Sequence, residues 1–522
     1  MTVARSGLGA GLALTTLLFG AALAVPAAET SAAAEAPSAA GAPQAAGPEF
    51  HPPARGSYAV VVSKDTLALE PWKAVCDALV AKYAGRIITY EKDVAEARPA
   101  LAEAMPNYAC FVARPAECGR DFVVAVHRLT RRLDADPYTD CLWAVLTGYD
   151  ADDALRIAQR AEPLVLHKVL SGTSGGKVAP FESGTVFSEG KAGAMRVKEK
   201  GGPWKDRDDG PEDSTRAIVD CFNQDEPDCF ITSGHATEHD WQIGYSYKDG
   251  QLRCQDGQLF GLDLQKQKHL VHSPNPKVYL PVGNCLIGHV PGPDCMVTAL
   301  IHSAGVVQMF GYTVPTWYGK GGWGVQDIFL GQPGRFTLAE SFYANTQSLL
   351  YTLRTRFPEK ADVDFERYDL ERRRGLLGEL VQRHGLKGDR DELGLLWDRD
   401  TVAFYGDPAL DARPVRGSLE WDQRLTVAGD RYTLALACRT DGRWPKQPVF
   451  AFLPHRIDAA SVEVSAGRDV QPIVTDNFIL APLESEFKAG DAVTVTFTAK
   501  RASAAVLADR REREEHKDNA LQ

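Results

Sequence analysis

The sequence predicts an α/β protein, a mostly parallel sheet flanked by helices in two subdomains, followed by a smaller antiparallel β-sandwich. Three observations carry that prediction. From Ser57 to about Leu170, short apolar runs alternate with stretches of helical period, the rhythm of βαβ units. Between Asp228 and Tyr318, three apolar, β-branched runs lead into small residues, as buried strands of a parallel sheet do. After Arg416 the pattern changes to short alternating strands divided by turns.

Taken in order, the chain opens on a leader. Met1 to Ala24 carries one Arg, an apolar run from Leu8 to Leu23, and the small-residue pattern Ala22-Leu23-Ala24. This is the form of a secretory signal peptide cleaved after Ala24, so the protein is expected to be exported by a bacterium, to the medium, the periplasm or the cell surface. A membrane anchor would need about 20 clean apolar residues and a stop-transfer flank, and neither is clear. Residues 25–55 are Ala, Pro, Glu and Ser with few bulky apolar side chains. They read as a flexible linker.

The remaining composition, with 44% hydrophobic and 24% charged residues, is that of an ordinary globular protein. A formal charge of −11 and a pI near 5.6 argue against nucleic acid as a partner. Residues 56–210 are expected to hold the first α/β subdomain and a connecting loop. Strands are predicted at Tyr58–Val62, Arg86–Tyr90, Tyr108–Ala113 and Cys141–Thr147. Helices are predicted at Trp72–Tyr83, Val94–Met105, Phe122–Leu133 and Asp153–Arg160. Ser171 to Thr215, rich in Gly, Lys, Asp and Glu, reads as a long exposed connection.

Residues 211–413 hold the chemistry. Cys229-Phe-Ile-Thr runs into Ser233-Gly234-His235, and Val278-Tyr-Leu-Pro-Val runs into Gly283-Asn284-Cys285. Catalytic groups of open α/β sheets gather at the carboxyl ends of strands. A His and a Cys at two such ends suggest a thiol facing its base. Cys285 follows His235 by about 50 residues, the offset found in caspases. Long helical patterns follow at Phe336–Leu353 and Glu366–His384. Residues 414–500 form the sandwich, and 501–522 a charged tail.

The region resembles the catalytic domain of the gingipain-type cysteine peptidases, relatives of clostripain and the caspases. The matching words are CFITSGH, YLPVGNC, PDCMVTALIHSAGVVQMFGYTVPTW and FYGDPAL, in that order over roughly Ser57 to Arg413. The resemblance implies a caspase-like fold with an immunoglobulin-like domain after it. It also implies an endopeptidase in which His235 and Cys285 form the catalytic dyad and peptides or proteins are the substrates. Backbone N–H groups of Ala236 and Cys285 would hold the oxyanion, and Trp317 would wall the pocket for the residue before the cut bond. An acidic residue that orients the His would be Asp152 or Asp153. No cofactor is implied for the chemistry, although members bind structural calcium. The family often takes Arg or Lys before the cut bond, and no acidic partner for one is evident in this sequence. Two residues depart from the family: Ala236 stands where Gly is usual, and Asn284 where Ala is usual.

Two alternatives stand beside this reading. His235-Ala-Thr-Glu238-His239 spells H-x-x-E-H, a zinc-peptidase pattern that requires a helix to bring both His to one face. The preceding residues end a strand and nothing propagates a helical period, so no metal is expected there. The departures at Ala236 and Asn284 would instead suit an extracellular binding module that keeps the groove without turnover. Ten cysteines could pair in an exported chain, but connectivity is not readable from sequence, and no CxxC spacing suggests structural zinc.

Overall fold

The computed structural model describes residues 57–365 and 373–502. The predicted leader, the linker, nearly all of the charged tail and the start of the predicted Glu366–His384 helix lie outside the described residues. The strands of the first half are mainly apolar, with a Val60-Val61-Val62 run in the first, where burial on both faces favours β-branched side chains. These are β1 (Tyr58–Ser63), β2 (Arg86–Tyr90), β3 (Tyr108–Val112) and β4 (Leu142–Leu146). Next come β5 (Lys168–Ser171), β6 (Ser183–Phe187), β7 (Met195–Lys198) and β8 (Lys205–Arg207). The set closes with β9 (Cys229–Thr232), β10 (Lys277–Pro281), β11 (Val306–Tyr312) and β12 (Val402–Gly406). Together they make one 12-stranded sheet in the order β2-β1-β3-β4-β12-β11-β10-β9-β5-β6-β7-β8.

The sheet has two directions. β1 to β4 and β12 run one way, and β11, β10, β9, β5 and β6 run the other. The two sets meet at the antiparallel pair β11–β12, and β7 and β8 add an antiparallel edge. β1, β4, β9, β10, β11 and β12 are buried along their whole length. The helical periods recur where predicted. α1 (Glu70–Tyr83) buries Trp72, Val75, Cys76, Leu79 and Tyr83. α2 (Arg120–Thr130) and α3 (Ala151–Gln159) follow, the latter capped by the Asp150 side chain accepting from the Asp152 and Asp153 N–H groups. Val94–Met105 is a 3₁₀ turn (Val94–Ala97) running into a short helix (Arg98–Ala104). The later helices are α4 (Met296–Ala304), α5 (Lys320–Phe329), α6 (Leu338–Arg356), α7 (Arg373–His384) and α8 (Arg390–Arg399).

One expectation is corrected. Ser171 to Thr215 is not a plain exposed loop, because β6, β7 and β8 lie within it and extend the sheet beyond β5. Their polar side chains mask the strand period. β8, Lys-Asp-Arg, is wholly exposed, a charged sheet edge that resists further pairing.

The last predicted domain is a two-sheet antiparallel sandwich. β13 (Trp421–Ala428), β14 (Arg431–Cys438), β16 (Glu463–Ala466) and β19 (Ala492–Thr498) form one sheet. β15 (Val449–Phe452), β17 (Ile473–Val474) and β18 (Phe478–Ala481) form the other. Leu434, Val495 and Phe497 of the first share a core with Val449, Ala451 and Ile479 of the second. The sandwich is not set apart, since all described residues belong to one compact unit. Tyr343 of α6 packs on Phe450, Phe452 and Phe478. Arg456 donates to the carbonyl oxygens of Met105, Pro106 and Asp140 and pairs with Asp476.

Beneath the sheet, α2 supplies a pH-sensitive contact. His127 donates from Nε2 to the Val402 carbonyl at 2.8 Å, while its Nδ1 is buried with no partner among the described residues. Burial, against the pull of Asp400, pushes the imidazole down to about 4. The unfolded chain therefore takes up a proton that the folded chain refuses, and stability falls as pH drops from about 6.5 to 4. The loss from this residue is about 3 kcal/mol. Urea unfolding of wild type and His127→Phe at pH 7 and 4.5 checks it. The variant should show the smaller pH dependence, and equal slopes would remove His127 from the account.

Candidate active site

Parallel pairing sets Thr232 of β9 opposite Pro281 of β10. His235 and Cys285 follow those residues at the same edge of the sheet, on neighbouring strands. The approach to His235 needs a glycine: Gly234 has φ +93°, a left-handed conformation that a side chain disfavours. The chain then folds back as a tight hairpin. Thr237 N–H donates to the Asp240 carbonyl, and Gln242 N–H to the His235 carbonyl. Trp241, fully buried on the returning arm, donates from Nε1 to the Ser233 carbonyl at 2.9 Å and fixes the hairpin on the sheet. The His235 ring is exposed and stacks on Tyr245 with centroids 5.0 Å apart.

Beyond β10 the chain turns through Leu286, whose φ of +58° is strained for a branched side chain directly after Cys285. Such outliers persist where the surroundings over-determine them, and the surroundings here are specific. Leu286 N–H donates to the Val314 carbonyl, and Gly288 packs so closely on Gly311 that a Cβ would lie 2.3 Å from the Gly311 oxygen. Tyr405 of β12 donates to the Gly288 carbonyl at 2.7 Å. Cys285 is half-buried, and its sulfur accepts the Thr316 N–H at 3.2 Å. The same sulfur lies 3.6 Å from the Thr316 carbonyl oxygen, the acceptor for its thiol hydrogen.

Asn284 joins the two ends. It is fully buried, its Oδ1 accepts from the Thr232 hydroxyl at 2.7 Å, and its Nδ2 donates to the Gly234 carbonyl at 3.2 Å. The residue before Cys285 is thus bonded to the residue before His235. Its own carbonyl accepts from Thr316 Oγ1 at 3.0 Å, bringing in the loop that bears Trp317. Trp317 is partly buried against the main core, near Tyr318, with its Nε1 buried and unpartnered among the described residues.

Several groups at this edge were not singled out in the sequence. Trp323 of α5 lies against Gly283, Gly175 and Gly319, where an added Cβ would meet its ring at 3.1, 2.9 and 3.1 Å. Glu189 accepts from Thr173 Oγ1 and from the N–H and hydroxyl of Ser174, and its carbonyl accepts from Tyr245 N–H. Thr173 in turn takes the Ser233 hydroxyl at 2.8 Å. Most of these contacts join segments far apart in the chain, as Ser233 to Thr173 and Trp323 to Gly175 do. The nearest sequence signal was the run of glycines around each strand end.

The other thiols and imidazoles compete poorly. The nine cysteines other than Cys285 are unpaired, and eight of them are buried. Cys221, the other half-buried one, has its thiol pushed up to about 12, mainly by burial. His289, four residues past Cys285, is pushed down to about 4 by burial and then by Arg120, so it is a weak base at neutral pH.

Asp153 does not orient His235, which corrects the sequence reading. β4 runs opposite to β9 and β10, so α3 starts at the other edge of the sheet. There Asp153 accepts from Tyr149 N–H and pairs with His302 at 2.9 Å and Arg156 at 3.3 Å. Asp152 lies on the same helix turn. The HATEH segment is a hairpin, without the helix that an H-x-x-E-H zinc site requires. Among the described residues, the acids close enough to share a cation are Asp134, Asp136 and Asp476, at the junction with the sandwich.

No protein-family model matches the chain, and no curated protein matches it. Two solved structures do. One is the complex of Porphyromonas gingivalis RgpB pro- and mature domains, at 11% identity over 86% of this chain and 100% of that one, with a TM-score of 0.39. The other is the Arg-specific cysteine proteinase gingipain R (RgpB), at 10% identity over 85% and 98%, with a TM-score of 0.37. At this level the likeness carries no chemistry to this chain, whose own residues must do so.

Proposed function

We propose that the chain is a cysteine endopeptidase, acting after export, in which His235 and Cys285 hydrolyse peptide bonds. The observation that carries the reading is the bond from Asn284 to Gly234. It draws a half-exposed thiol, already accepting an N–H, and an exposed imidazole to one edge of the sheet. The Cys285 thiolate attacks the carbonyl carbon, and the peptide C–N bond breaks as His235 gives its proton to the leaving amine. A thioester acyl-enzyme remains. Water, deprotonated by His235, then releases the carboxylate product and the thiol.

The oxyanion falls to the backbone. Ala236 and Trp241 face each other as a non-hydrogen-bonded antiparallel pair, so the Ala236 N–H points out of the hairpin. With the Cys285 N–H it would form the oxyanion hole, a main-chain duty that Ala performs as Gly does. Trp317, one residue past the Cys285 partner Thr316, would wall the substrate pocket.

An acyloxymethyl ketone probe tests this reading. It should label Cys285 far faster than the other nine thiols, and His235→Ala should remove the advantage. Labelling of Cys285 no faster than that of Cys221 would favour a binding module without turnover.

A further inference from the structure

We infer that Asn284 is a positioning residue that sets the approach of Cys285 to His235, which gives this chain's departure from Ala a task. The inference rests on the dyad reading above. A buried side-chain amide has to be satisfied, and this one is satisfied in a single sense. Its Nδ2 donates to the Gly234 carbonyl, so its Oδ1 is the atom that faces Thr232. Thr232 spends its one hydroxyl proton on that oxygen. The 2.7 Å contact between Thr232 Oγ1 and Tyr279 OH must therefore be donated by the tyrosine.

A one-way chain results, from Tyr279 on β10 to Thr232 on β9, to Asn284, and on to Gly234. Thr232 and Tyr279 are as buried as Asn284, so water does not compete for these bonds. Both strands and both loops are pinned by one side chain. The main-chain carbonyl of the same residue holds Thr316, whose N–H faces the thiol. Alanine at this position would keep the fold of the turn but lose the tie between the loops. The loop that carries the imidazole would then be free to drift from the thiol. Asn284 touches neither substrate nor a reacting atom, and acts through the two residues that follow Gly234 and itself.

The test is the pH profile of Cys285 alkylation by iodoacetamide, read by mass spectrometry of its peptide, together with kcat and KM on a peptide substrate. In wild type, a thiolate held by imidazolium should react at a rate nearly flat below the ordinary thiol range of about 8.5. In Asn284→Ala the rate should instead climb through that range. kcat should drop by about 100-fold, as a misplacement near 1 Å costs, with KM little changed. A wild-type profile and unchanged kcat in Asn284→Ala would overturn the positioning role while leaving the dyad intact. If wild type itself titrates like an ordinary thiol and His235→Ala matches it, the dyad reading fails and this inference with it. Thr232→Val, which removes the hydroxyl feeding Asn284 while keeping shape, carries the same expectation should Asn284→Ala not fold. An unchanged profile in that variant counts equally against the role.

Discussion

Replacing His235 by alanine should lower kcat/KM for peptide hydrolysis by about 10²–10⁴-fold, and replacing Cys285 by alanine should take the rate to that of the uncatalysed background. The two losses have different origins. Without His235 the thiol still accepts the Thr316 N–H, but it has no base and the leaving amine has no proton donor. Without Cys285 no acyl-enzyme forms at all. For a pair acting as the proposed dyad, the double variant should be no slower than Cys285→Ala alone. His239→Ala, at the turn of the same hairpin, should leave the rate near wild type. Purified variants assayed on a quenched peptide library decide the matter, with thermal melts to confirm folding. Hydrolysis surviving in Cys285→Ala would end the cysteine-peptidase reading.

What the sequence disclosed and what it concealed divide along contact range. The strand ends that carry His235 and Cys285 were legible because a buried strand and its terminal glycine are local patterns. So were α1, through its periodic Trp72, Val75, Cys76 and Leu79, and the alternating strands of the sandwich. Strand direction is not local. The antiparallel seam joins β11 to β12 across the whole of α5 to α8, and nothing in either run declares it. That reversal is why Asp153 was assigned to His235 when it serves His302 at the opposite edge. Asn284 was visible as a departure, but its meaning depends on Thr232, a residue on the neighbouring strand. Trp323 and Glu189 reach the site from segments that carry no motif. The edge strands β6 to β8 were hidden by polar side chains, which an exposed edge retains for solubility.

Asp400→Ala should be the most damaging single substitution away from the site, costing about 3–5 kcal/mol. Asp400 stands just before β12 and is fully buried. Its carboxylate accepts from Arg131 at 2.6 Å and from Arg399 at 2.8 Å, and Arg128 lies 3.8 Å away. Burial alone would raise the acid's pKa, but Arg131 and then Arg399 outweigh it and hold the carboxyl far below its usual range. The pair is not stabilising merely because it exists, since a hydrophobic replacement of the whole cluster could serve as well. Removing the anion alone is another matter, because Arg131 stays buried without the carboxylate it pairs with, and Arg399 is left with the partly exposed Asp364. The damage should reach the site through the adjoining residues. Thr401 accepts from both the N–H and the hydroxyl of Thr313, next to Val314, which holds Leu286. Asp400→Asn, which keeps an acceptor and the volume, should lose less than Asp400→Ala. Glu91→Ala, in an exposed pair with Lys64, should stay near wild type. Urea unfolding midpoints of the three variants give the order, and an Asp400→Ala midpoint equal to that of Glu91→Ala would refute the buried-charge argument.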